Sequence, residues 1–267
     1  MSPTAVSRRE QGVGDLLRGW RRRRHLSQLD VANEAAVSAR HLSFVETGRS
    51  KPSRELVLHL AEHLDVPLRE RNALLLAAGF APAYAERPLD DDEMDPVRRA
   101  LEHVLAGHEP YPAVIVDRRW DLVMANGTAL GLFTEGIAAH LLEPPVNVYR
   151  LALHPEGLAP RVRNLDEYRH HLLTRLQRDA LLSGSAELQA LLQEVAAYPG
   201  RAVPDTLDVS PAELLFLPVE LTTGDGRELS FFSTIATFGT AHDVTVAELS
   251  IEAFFPADDA TRAALQA

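Results

Sequence analysis

Two helices that must cross closely constrain this chain more than any other feature of its sequence. In the segment QLDVANEAAVSARHLSFVET, residues 28–47, Val31, Ala32, Val37, Leu42 and Val45 fall where two short helices joined by a tight turn have to touch. Ala32 and Ala35 are small enough for the approach. Apolar residues at helical spacing, broken every ten to fifteen residues, extend this pattern from Gly12 to about Gly79. They predict five helices, at about 12–24, 28–35, 39–46, 53–64 and 68–77. Ser27, Ser38 and Ser53 stand just before helix starts, where a hydroxyl accepts a first-turn N–H, and Gly48 and Gly79 stand where helices stop.

Charge singles out the same region. The whole chain of 267 residues has a formal charge of -11. Residues 1–54 nevertheless carry 11 basic against 5 acidic side chains, a net +6, and the remainder carries 16 against 33, a net -17. Such asymmetry marks the basic part as the candidate nucleic-acid footprint. With no cysteine, disulfides, thiolate zinc sites and cysteine nucleophiles are excluded. No stretch reaches the ~18 uninterrupted apolar residues of a membrane span and no signal-peptide layout is present, so a cytoplasmic protein is expected.

The stretch Ala81–Pro96, with three prolines and the acidic run Asp90–Glu93, reads as a linker, with the boundary near residue 90. The expected organisation is a helical domain over 1–80, a linker over 81–96 and a second domain over 97–267. In the second domain a helix is expected over 97–107. Two short strands over 113–117 and 120–125, joined by Arg118-Arg119, follow it. Helical spacing returns at 165–182 and 186–197, followed by strand-like runs at 213–222, 228–238 and 245–254. Gly224-Asp225-Gly226 supplies the turn between the first two of these. In the last run Leu249, Ile251 and Ala253 alternate with Glu248, Ser250 and Glu252, which predicts one buried and one wet face. The fold class expected is therefore all-α for the first domain and α+β for the second, a five-stranded antiparallel sheet with helices on one face.

The crossing-helix segment, with Glu46-Thr47-Gly48-Arg49-Ser50-Lys51-Pro52-Ser53 after it, resembles the Cro/C1-type helix-turn-helix, or XRE, family. Ala36 departs from the glycine that many members have at the turn, at a small cost in backbone strain. The resemblance implies that the second helix of the pair enters the major groove of double-stranded DNA, with Ala39, Arg40 and Ser43 toward base edges. Arg40 is the residue able to fork onto a guanine. Gln28 and Ser38 would hold phosphates at helix starts, and Arg49, Lys51 and Arg21–Arg24 are further phosphate candidates. A single recognition helix reads few base pairs, so a homodimer on paired half-sites is expected.

Residues 59–63, HLAEH, match an inverted zincin motif literally, yet His59 and His63 flank the Leu56, Leu60, Leu64 stripe and no third ligand is indicated. Neither a phosphate loop, nor a nucleophile elbow, nor a clustered carboxylate pair is found. No catalytic residue, no metal site and no required cofactor is therefore assigned, and an enzyme is disfavoured.

From Asp65 onward, DVPLRERNALLLAAGFAPAY, HEPYPAVIVDRRWDLVMAN, LALHPEGLAP and ELSFFSTIATFGTAHDVTVAELSIEAFFPAD look like the MmyB-like ligand-binding family. That resemblance implies a PAS-like sensor domain that takes an apolar ligand such as a fatty acid. Apolar residues on both faces of the strands, Leu214 to Leu217 with Val219 and Leu221, and then Phe231 and Phe232, fit either a ligand cavity or a dimer interface. Tyr149, Arg150, His154 and Arg161 are the candidate polar anchors. Arg150 and Arg161 suit a carboxylate, unless neighbours such as Glu156 pair with them. The expected function is a DNA-binding transcription regulator whose second domain senses an apolar ligand; the alternative is a second domain that only dimerises or holds a protein partner.

Overall fold

The structure is a computed structural model that describes residues 12–200 and 217–266. The first residues of the expected helical domain and the residues 213–216 of an expected strand, with Leu214, Leu215 and Phe216, lie outside the described residues. The chain divides after Glu86 into two units, with His242–Val244 grouped with the first.

The first unit holds the five expected helices: α1 (Val13–Arg23), α2 (Gln28–Glu34), α3 (Ala39–Glu46), α4 (Arg54–His63) and α5 (Leu68–Ala77). Local chemistry sets their starts. Ser27 Oγ accepts from Asp30 N at 3.1 Å while Asp30 Oδ2 accepts from Ser27 N at 2.7 Å, a reciprocal cap. Ser38 and Ser53 accept from His41 N and Leu56 N at 3.1 and 3.2 Å. Leu17, Trp20, Val31, Ala32, Ala35, Leu42, Val45 and Leu60 form one core. At Gly14 α1 passes so close to α3 that a Cβ would lie 2.3 Å from Val45 O, so only glycine fits there. Ala36 turns the chain between α2 and α3 at φ 50°, a conformation that favours glycine. Ala36→Gly should stabilise this unit by about 0.5–1 kcal/mol in denaturant unfolding, the relief of strain exceeding the added freedom of the unfolded chain. A loss of stability would show that the turn is unstrained.

The second unit opens on α6 (Asp95–Gly107), then β1 (Ala113–Val116) and β2 (Leu122–Ala125). Next come α7 (Gly127–Thr134), α8 (Val148–Leu153), α9 (Leu165–Ser183) and α10 (Ala186–Ala196). β3 (Val219–Thr222), β4 (Glu228–Thr237) and β5 (Ser250–Pro256) complete a five-stranded sheet of order β2-β1-β5-β4-β3. Every pairing is antiparallel. The Gly224–Gly226 turn forms as expected, with Gly226 at φ 83°.

Three expectations are corrected. Val244–Ala247 is a helical turn, so the last strand starts at Ser250 rather than 245; the β-branched Val-Thr-Val run overstated its strand tendency. The sheet is covered on both faces, not one. Val114, Val116 and Phe254 pack in a core with α8, α9 and α10, whereas Ala113, Ile115, Leu249 and Ile251 pack against Leu101 and Leu105 of α6. Glu252 accordingly is not wet but 6% exposed, in the central strand beneath the helices.

Candidate DNA interface and ligand cavity

Helix α3 buries Leu42 and Val45 and turns Arg40 outward. Ser38, Arg40, Arg49 and Lys51 are exposed, and Ala39 and Ser43 are half-buried. The Arg40 guanidinium lies 5.4 Å from the centre of the Phe44 ring and that of Arg49 lies 5.9 Å from it, so Phe44 groups two cations on one surface. Sequence reasoning missed Phe44, although its i,i+4 spacing from Arg40 was a readable signal. The Ser38 oxygen accepts the cap hydrogen bond, which leaves its O–H to donate outward.

The basic run is only partly available. Arg21 Nε and Nη2 bond Glu46 Oε1 and Oε2 at 2.7 and 2.9 Å, and Arg24 bonds the carbonyls of Leu64 and Asp65. Arg23 lies over Trp20 at 4.6 Å. Arg22 is exposed, which leaves it the best phosphate candidate of the four. Gln28 donates to Glu46 Oε2 at 2.8 Å, so its amide is engaged within the fold. Glu46 is thereby the hub that joins α1, the start of α2 and the end of α3. Burial raises its pKa, but bonds from Arg21 and Gln28 and the charges of Arg21 and Arg18 prevail and hold it below the usual range. In the HLAEH segment the His59 and His63 rings bond the carbonyls of Ala35 and His59, which is structural use of both side chains.

In the second unit the helices and the sheet enclose a cavity of about 80 Å³. Its wall is mostly apolar, with Val114 and Phe254 from the sheet, Ala129 and Phe133 from α7, Leu151 from α8 and Leu172 from α9. Five polar residues share it: Thr134, Tyr149, Tyr168, Arg175 and Glu252. Arg175 Nη1 lies 3.2 Å from Glu252 Oε1, and both side chains are at most 10% exposed. Arg175 Nε donates to the Tyr149 hydroxyl at 3.0 Å, and its guanidinium lies 4.2 Å from the Trp120 ring. Burial works to lower the Arg175 pKa, but Glu252 and Tyr149 outweigh it, so the guanidinium stays charged.

A model of the MmyB-like transcription regulator ligand binding domain matches residues 97–267. The chain belongs to the MmyB-like transcription regulators. A helix-turn-helix domain model matches residues 13–74 of this MmyB-like chain. Over 75 residues it is 39% identical to the transcriptional regulator ClgR of Mycobacterium tuberculosis, in strains CDC 1551 / Oshkosh and ATCC 25618 / H37Rv. The match takes in 28% of this chain and 64% of ClgR, so it spans less than two thirds of those relatives. The solved structure of an RNA-binding light-oxygen-voltage receptor aligns with all of the chain and 67% of its own. The identity is 13% and the TM-score 0.25, too low to carry an argument. No helix among the described residues is long and apolar enough to cross a membrane.

Of the four anchors expected in this MmyB-like domain, only Tyr149 lines the cavity. Arg150 forms a two-bonded pair with Glu194 at 2.7 and 2.8 Å. Arg161 holds the carbonyls of Thr222 and Glu135, tying the strand β3 to the end of α7. His154 groups instead with His140 and Glu156, their ligand atoms within 4.8 Å of one another. The segment 147–163, near the start of the helical cover, offers all of them in sequence, but the short α8 turns Tyr149 inward and Arg150 outward. Arg175 and Glu252, 77 positions apart, gave no local signal.

Proposed function

We propose that this MmyB-like regulator binds operator DNA as a homodimer, that an apolar, fatty-acid-like molecule in the cavity tunes that binding, and that the chain carries out no catalysis in the cytoplasm. The observation that carries the reading is an apolar cavity inside the domain matched as ligand-binding, in one chain with a helix-turn-helix that exposes Arg40 and Arg49. At roughly 10–15 Å³ per water, about 80 Å³ holds about five to eight waters, so a long chain enters only as the walls part. That requirement supplies coupling, because a ligand shifts an equilibrium only by its differential affinity for the two conformations. At ~0.8 kcal/mol per buried methylene, ten methylenes contribute about 8 kcal/mol before ordering costs, enough for micromolar binding.

Two measurements test this. Titrating the full chain with saturated molecules of increasing length should give affinity that rises with length. No binding at any length would leave a domain that only dimerises or holds a protein partner. On the DNA side, Arg40→Ala should weaken binding to a selected operator by about 5- to 150-fold, or about 1–3 kcal/mol, with random duplex little changed. Arg22→Ala should weaken both and lower the salt slope by about one. Equal loss on both duplexes for Arg40→Ala would refute base readout by Arg40. Footprints covering one half-site, at concentrations where sedimentation shows a monomer, would refute the dimer.

A further inference from the structure

The polar end of the cavity is electrically complete without a ligand. Arg175 presents Nη1 and Nη2 to the two oxygens of Glu252 at 3.2 and 3.4 Å, gives Nε to Tyr149, and lays its face on Trp120. On the other side Ser233 donates to Glu252 Oε1 at 2.8 Å. One buried cation and one buried carboxylate thus cancel in the wall.

We propose that the ligand of this cavity is an apolar molecule with an uncharged polar head, such as an alcohol, ester or lactone, and not a free carboxylate. The proposal rests on the cavity-ligand reading above and narrows its chemistry. A carboxylate that took Arg175 from Glu252 would leave Glu252 with Ser233 as its remaining partner among the described residues. Left in place, Glu252 would set one buried carboxylate beside another, and like charges in a low-dielectric site repel strongly. An ammonium head meets the same obstacle from Arg175. A neutral head needs only hydrogen bonds, and Tyr168, one of the lining residues, carries a hydroxyl for them. It can donate to an ester or carbonyl oxygen and accept from an alcohol. Burial raises the Tyr168 pKa, so the group remains a hydroxyl. The expected carboxylate anchors Arg150 and Arg161 are outside this wall and held by Glu194 and Glu135.

The test uses the full-length protein at neutral pH and four probes with a ten-carbon chain: decanol, methyl decanoate, decanoate and decylamine. Binding is followed by calorimetry and by the emission of Trp120, which stacks on Arg175. Decanol or methyl decanoate should bind at least about ten-fold tighter than either charged probe. Decanoate binding as tightly as the neutral probes, or tighter, would overturn the uncharged head while leaving the apolar sensor standing. Failure of all four would overturn both readings. Glu252→Gln removes the carboxylate charge and leaves Arg175 uncompensated, so decanoate should gain about ten-fold relative to decanol. A folded Glu252→Gln protein with unchanged preference would overturn the assignment to this pair, and the wild-type comparison stands if the variant does not fold.

Discussion

Glu46→Ala should destabilise the helix-turn-helix unit by about 3 kcal/mol, the lower end of what removing one partner from a buried ion pair costs. The carboxylate is 2% exposed and receives Arg21 through two bonds, Gln28 through one and Arg18 at 3.6 Å. Its removal leaves Arg21, whose side chain is 12% exposed, without its partner at the joint of three helices. Arg18 keeps a contact to the Glu46 backbone carbonyl and can reach water, which places the figure at the low end. Against a total stability of about 5–15 kcal/mol for an ordinary domain, this is a large fraction. Hydrogen exchange of amides in α1 and α3 would report it, and a loss below about 1 kcal/mol would show that the pair is replaceable. Glu46→Gln adds the dependence on pH. The folded carboxylate has its pKa lowered from the usual 4.5, so its stabilising effect is complete above the unfolded value and fades as pH falls through the folded one. The advantage of wild type over Glu46→Gln should therefore be flat at neutral pH and shrink below about 4.5.

The helix-turn-helix unit was legible because its signals are local. Ser27, Ser38 and Ser53 cap the helices that follow them, and Gly48 and Gly79 adopt the positive φ expected of helix stops. Even the strain at Ala36 could be read from a single replaced glycine. What charge alone could not show was the direction of each arginine, since Arg21 is held by Glu46 while its neighbour Arg22 is exposed. The second unit was legible as an antiparallel sheet with helices, down to the Gly224–Gly226 turn. Alternation in β5 identified two faces correctly but assumed that the polar one is wet. Glu252 is polar and buried because Arg175 arrives from α9, and a period of two carries no information about such a visitor. The cavity anchors were misplaced for the same reason. Arg150 and Arg161 are near Tyr149 along the chain, while the cation that meets its hydroxyl comes from another helix.

Arg175→Met should lower the stability of the second unit by about 3–5 kcal/mol, because it leaves Glu252 charged, buried and short of partners. Methionine keeps much of the stem that packs beneath Trp120, so the loss reports charge more than volume. The companion Glu252→Met strands the guanidinium instead and should cost a similar amount. The double variant removes both charges at once, and apolar replacements of a buried pair are often neutral or better. Its loss should therefore be much smaller than the sum of the single losses, a coupling that a double-mutant cycle in urea unfolding measures directly. Single losses below about 1 kcal/mol, or a double variant as weak as the sum, would mean that water already reaches the pair. If the cycle comes out as expected, stability does not explain why two charges stand in an apolar wall, since Met at both positions would serve as well. The pair then remains as a device for choosing the head group, and the double variant, stable but without either charge, should bind ten-carbon chains with less distinction between neutral and charged heads.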